Sequence, residues 1–239
     1  MSHSRFVNYL ISSGISLSAQ PFYFIRHLSI PYHQLRYQGK INVKYNISDN
    51  IDFKSEEANS FFLNKLKKSK VFLEFGSGSS TLLANKLNIK TISVESDKSF
   101  FNFLKNKVHS KYYLEDLGIV YFFSTPVFSW VRRFYLNQKA VAYASNVLKK
   151  LSKEKIFPDL ILVDGRYRVL CCLYIFLFIQ FYNLKNIDLI LDDYKYRYEY
   201  HILKDIFDIQ MIGRFGILKA KSGNFDIVKL IKQYQYDPR

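Results

Sequence analysis

A chain of 239 residues, 49% of them hydrophobic, is long enough to bury a sizeable core and fold by itself. Its 35 Lys and Arg against 20 Asp and Glu give a formal charge of +15, which favours phosphate-rich, acidic-glycan or anionic-membrane surroundings without choosing among them. Two adjacent cysteines, Cys171 and Cys172, inside an apolar run exclude a disulfide framework and a CxxC metal site, and fit a reducing compartment.

Residues 1–51 carry many aromatics, Pro21 and Pro31, and no clear period, which predicts an irregular or partly helical cap. The segment lacks the basic start, unbroken apolar stretch and small-residue cleavage site of a secretory signal, so the expected location is cytoplasmic. A lid or a peripheral membrane contact is a second reading of its aromatics. From Asp52, "DFKSEEANSFFLNKLKKSK" sets Ala58, Phe61, Phe62 and Leu66 on one face after an acidic first turn and ends in lysines, as an amphipathic helix should.

Short apolar runs at 71–75, 91–95, 119–123, 160–164 and 188–193 then alternate with helical stretches. That alternation predicts a parallel sheet covered by helices on both faces. The apolar run 169–182 is shorter than the roughly 20 residues that cross a bilayer and reads as a buried helix. Near the end, 211–220 and 224–231 predict a closing antiparallel hairpin. The expected architecture is one doubly wound, Rossmann-like α/β domain over 52–239, with a mostly parallel seven-stranded sheet.

The first run is "VFLEFGSGSS", residues 71–80. In an open parallel sheet the loop after the first strand is the usual cofactor turn. Gly76 and Gly78 would let the backbone turn tightly there, and a helix from Ser79 or Ser80 would aim its amides at the ligand. The second run ends in Glu95, where a carboxylate can accept from both hydroxyls of a ribose. A dinucleotide asks for a third glycine where Thr81 stands, and Glu74 suits a cationic cofactor group better than a phosphate. S-adenosylmethionine (SAM) has an amine, a sulfonium and no phosphate. The competing reading is a purely structural turn with Glu95 as a solvated strand end.

These residues resemble the first motif of the class I SAM-dependent methyltransferases, E/D-x-G-x-G, matched by Glu74, Phe75, Gly76, Ser77 and Gly78, with Glu95 as the acid after strand two. More narrowly the chain is similar to a bacterial methyltransferase-like group with "LEFGSGSSTLLA" (73–84), "SVESD" (93–97), Asp116 and Gly118 before Pro126, "DLILVDGRYRV" (159–169), and Asp193 and Tyr194 followed by Arg197. The resemblance implies SAM held by Glu74, Gly76, Gly78, Ser79, Ser80, Glu95, Ser96 and Asp116.

Strands four and five end "LVDGRYR" and "LILDDY", which puts Asp164 and Asp193 on the ligand-binding edge as candidate catalytic groups. Methyl transfer needs donor and acceptor aligned and, for a hydroxyl, a proton removed. The spacing of Asp164, Asp192 and Asp193 is similar to that of catechol-type, metal-dependent O-methyltransferases, which implies Mg2+. Without a metal, Asp164 would cap the following helix, and Asp193 would act as a direct base or orient Tyr194. The basic residues beside these acids, Lys195 among them, give a cationic pocket, with Arg166, Arg168, Tyr194 and Arg197 as candidate substrate contacts and an anionic acceptor. The "VDG" after strand four is comparable to that of plant polysaccharide O-methyltransferases.

His109 and His201 lack metal-partner spacing and read as surface or packing residues. Phe128, Trp130, Phe134 and Tyr135 would wall the acceptor pocket or pack in the core. The expected function is SAM-dependent O-methylation of a small or glycan acceptor. Nucleic-acid methylation is disfavoured, because neither an Asp/Asn-Pro-Pro-aromatic loop nor a Pro-Cys nucleophile is present. A non-catalytic binding protein of the same fold stays as the third reading.

Overall fold

The computed structural model describes residues 45–109, 111–115, 129–235 and 237, and the side chains of all of these but 129–138. The expected cap therefore lies outside the described residues up to position 44, as do the strand expected at 119–123, Asp116, and the side chains of Phe128, Trp130, Phe134 and Tyr135.

Helix α1 (Glu56–Lys68) starts where the Ser55 hydroxyl accepts from the Ala58 amide, carries Glu56 and Glu57 in its first turn and lysines in its last, and buries Ala58, Phe62 and Leu66 along one stripe. Then follow β1 (Val71–Phe75), α2 (Ser79–Lys86), β2 (Lys90–Glu95), α3 (Lys98–Lys105), β3 (Lys111–Leu114), α4 (Ser129–Glu154), β4 (Leu160–Val163), α5 (Arg168–Tyr182) and β5 (Asp188–Leu191). Two 3-10 segments, Tyr194–Tyr196 and Tyr198–Asp205, lead to β6 (Phe207–Ile212), β7 (Phe215–Ala220) and α6 (Ile227–Tyr234).

The sheet order is β3-β2-β1-β4-β5-β7-β6. The first five strands are parallel, and β7 runs antiparallel between β5 and β6. Alternation along the strands splits the core. Leu73, Phe75, Ile161, Val163, Leu189 and Leu191 face the larger cluster with α4 and α5, whereas Phe72, Leu160, Leu162 and Ile190 face α1 and α2. Helix α5 is buried at every residue from 169 to 179, which accounts for its nearly unbroken apolar sequence. Among the described residues, no helix is long and apolar enough to cross a membrane.

Two elements differ from the sequence reading. The sheet position beside β2 is filled by Lys111–Leu114, a half-buried edge strand. The hairpin is β6–β7, shifted towards the N-terminus, because Gly213 (φ +57) with Arg214 forms a two-residue turn inside the expected strand 211–220. The segment expected as its second strand, 224–231, instead leads into α6, where Asp226 caps the Lys229 amide and Ile227 and Ile231 are buried one turn apart.

Register levels the carboxyl ends of three strands: Phe75 pairs with Val163, and Val163 with Leu191. The ladder runs one residue further, with the Asp164 amide donating to Phe75 O (2.9 Å) and the Asp192 amide to Val163 O (3.1 Å). Gly76, Asp164 and Asp192 thus emerge side by side at the ends of β1, β4 and β5, next to the seam of β1 and β4. Their connections leave in opposite directions there, which is the switch point of a doubly wound sheet.

Candidate active site at the carboxyl edge of the sheet

The turn after β1 rests on a contact between two glycines. Gly76 has φ +93, and a Cβ on it would lie 2.6 Å from both the Cα and the N of Gly165 in the loop after β4. A Cβ on Gly165 would in turn meet the Tyr143 hydroxyl at 2.1 Å and the Gly76 N at 2.9 Å. Neither loop can carry a side chain at this point. Gly78 is different: nothing stands within 4 Å of where its Cβ would be, so the backbone faces open space as helix α2 begins. Its amide donates to the Thr81 hydroxyl (2.9 Å), so the residue in the third-glycine position caps the helix.

Glu74 lies beneath this turn, fully buried, and its carboxylate accepts from the hydroxyls of Ser80 (2.6 Å) and Thr81 (2.5 Å). Burial pushes its pKa up to about 7 even though both hydroxyls favour the charged form. The Ser80 side chain is thus turned inward, which leaves its backbone and that of half-buried Ser79 at the open helix end. Glu95 joins two loops: Oε2 accepts from the Ser77 amide (3.2 Å), and Oε1 from those of Ser96 (2.6 Å) and Asp97 (2.7 Å). Burial raises its pKa, and the three amides oppose the rise.

Past β4 and β5 the charges interlock. Arg168 Nη2 lies 2.9 Å from Asp164 Oδ1, and Nη1 lies 3.1 Å from Asp193 Oδ2 and 3.7 Å from Asp192 Oδ2. Arg214 comes from the β6–β7 turn, with Nε 2.7 Å from Asp192 Oδ1, Nη2 against Asp193 Oδ1, and Nη1 donating to Phe53 O (2.9 Å). With Arg197 Nε 3.6 Å from Asp193 Oδ2, three carboxylates face three guanidiniums. Burial raises Asp164 to about 8, opposed by Arg168 and reinforced by Asp192 and Asp193.

In the solved structures, the fold is shared with a methyltransferase-like protein from Silicibacter pomeroyi DSS-3, 23% identical to this chain, covering 80% of this chain and 100% of that one, with a TM-score of 0.57. This chain has a methyltransferase-like fold. No family model and no curated protein matches it.

On this methyltransferase-like fold, Glu74, Gly76, Gly78, Glu95 and Ser96 gather around one turn, and Asp164 and Asp193 stand on the same edge. The Mg2+ set of Asp164, Asp192 and Asp193 finds no support here: the guanidiniums of Arg168 and Arg214 lie against carboxylate oxygens of all three. Among the described residues, no cluster of His, Cys, Asp or Glu could hold a metal ion. Two candidate substrate contacts also point inward. Arg168 is spent on backbone and carboxylate oxygens, and Tyr194 is 1% exposed with its ring packed on Gly216, where a Cβ would lie 2.8 Å away.

Arg166 is exposed with no ion pair among the described residues, and Arg197 is half-exposed, 3.6 Å from Asp193. His109 and His201 are exposed, whereas Cys171 and Cys172 are core residues whose thiols burial pushes up. The sequence reading missed four residues. Gly165 and Arg214 act only through contacts between distant loops. Tyr196 and Tyr198, 64% and 82% exposed, display their rings beside Arg197, and their signal was the alternation "YKYRYEY".

Proposed function

We propose that this protein is a SAM-dependent methyltransferase that acts on a hydroxyl of an anionic glycan or a smaller acid. The observation that carries the reading is the open space over Gly78 beside the Glu95 carboxylate, at the switch point of a methyltransferase-like sheet. The residues fit the cofactor: the Gly76–Gly78 backbone would lie along it, the free end of α2 offers amides, and Glu95 would accept from its ribose hydroxyls, with Ser96 beside it. Bound SAM supplies an electrophilic methyl group.

This chain's own residues then have to align the acceptor and take its proton. Asp164 suits the second task, because a pKa of about 8 keeps the proton exchangeable near neutral pH. Asp193 is held beside it by Arg168. Calorimetric titration of SAM and its demethylated product tests the reading. Both should bind, and Glu95→Ala, which also loses three amide contacts and so melts lower than the native chain, should weaken SAM in the folded protein by about tenfold or more, the equivalent of one or two hydrogen bonds to a charged group. Failure of either ligand to bind the native chain overturns it.

The acceptor class is supported by Tyr196 and Tyr198 as exposed, amphipathic rings flanked by Arg197 and Lys195 on a hydrogen-bonded segment. Oligogalacturonate serves as the probe. Affinity electrophoresis should show retardation by this uronic-acid chain, reduced several-fold in Tyr196→Ala/Tyr198→Ala, and none by a neutral glucan. Equal retardation by both polymers would refute an anionic acceptor.

A further inference from the structure

We propose that the Arg168 guanidinium is the resident cation of the acidic edge: it occupies the centre that a divalent ion takes in a carboxylate site, positions Asp164 and Asp193, and makes the site metal-independent. A hard divalent cation collects carboxylate and carbonyl oxygens from neighbouring loops. Arg168 collects that set here. Nη2 is bound by Asp164 Oδ1 (2.9 Å) and Asp164 O (3.1 Å), Nη1 by Asp192 O (2.9 Å) and Asp193 Oδ2 (3.1 Å), and Nε by Gly165 O (3.1 Å). The planar fork suits this arrangement, since each nitrogen reaches a different oxygen of two loops.

Two further features single this arginine out. It is the first residue of α5, where the helix dipole disfavours a cation, so the acids must outweigh that cost. Its side chain is 11% exposed, which places the charge inside the edge rather than on its rim. Arg214 closes the opposite side of Asp192, and together the two guanidiniums leave the three carboxylates no common face for a metal. Arg168 is a positioning residue on this view. The assignment stands apart from methyl transfer, because its readout is ion binding.

Mn2+ is the probe, titrated into the full chain at pH 8 and followed by electron paramagnetic resonance. The native protein should take up no Mn2+ at millimolar concentration. Arg168→Ala should gain one site, at least tenfold tighter than anything in the native chain, and adding Asp193→Asn should remove it. Arg168→Lys, which restores a cation, should remain without the site. Should the Ala variant not fold, Arg168→Gln carries the same comparison. A native Mn2+ site that Asp164→Asn or Asp193→Asn abolishes would overturn the proposal, and so would a folded Arg168→Ala or Arg168→Gln that gains none.

Discussion

Gly76→Ala is expected to lower the melting temperature by about 10 °C, whereas Gly78→Ala, two residues on, leaves it within about 1 °C and weakens SAM binding at least tenfold. The difference lies in what each new methyl group would meet. At Gly76 it lands 2.6 Å from Gly165 Cα and N, which are backbone atoms that cannot rotate away, and φ +93 is strained for any L side chain. Overpacking of this kind costs roughly 1–3 kcal/mol and the positive φ about 1–2 more. For a chain of this size, each kcal/mol is worth roughly 2–4 °C. At Gly78 the methyl meets nothing within 4 Å, and φ −177 is extended backbone open to alanine. It would project into the space assigned to the cofactor. Scanning fluorimetry gives the first quantity and calorimetry the second. A Gly78→Ala protein that binds SAM like the native chain would place the ligand elsewhere.

The strands buried on both faces were legible because they leave unbroken apolar runs such as Val71–Phe75 and Leu160–Val163. The end of the chain was not. A glycine inside "MIGRFGILKA" marks a turn only once Gly213 is seen docked on the start of α1, with its amide donating to Glu57. The eight residues of α6 are too few for periodicity to separate helix from strand. β3 has four residues and no fully buried position, so it leaves no apolar run to recognise.

At the site, strand ends could be read off and side-chain directions could not. Asp164 and Asp193 follow strands and therefore reach the ligand edge. Yet Tyr194, Tyr196, Tyr198 and Tyr200 look equivalent in "YKYRYEY", while the outer two are buried and the middle two exposed. The 3-10 turns after β5 decide that, together with the room that Gly216 leaves for the Tyr194 ring. The metal reading lacks support for a related reason. Spacing brought three acids to one edge, but Arg214 arrives through a hairpin whose register spacing could not supply.

Glu74→Gln should stabilise the protein at pH 8 by on the order of 3 kcal/mol and change little near pH 4.5. The folded-state pKa is raised, from an ordinary 4.5 to about 7, chiefly by burial and also by the Glu95 charge, against the Ser80 and Thr81 hydroxyls. Between those values the folded chain keeps a proton that the unfolded chain releases, so stability present below about pH 4.5 is lost as pH rises towards 7 and is level above. Glutamine carries no charge in either state and removes that slope. Its amide oxygen would accept from Thr81, and its nitrogen would donate to the Ser80 hydroxyl, which rotates to suit. Urea unfolding of both proteins from pH 4.5 to 8 should give curves that meet at the acid end and separate above it. Parallel curves would mean an ordinary, ionised Glu74. Under the proposed function the same residue links pH to the cofactor: a cationic group bound over the turn favours the carboxylate, so SAM binding near pH 7 should release protons in the native protein and not in Glu74→Gln.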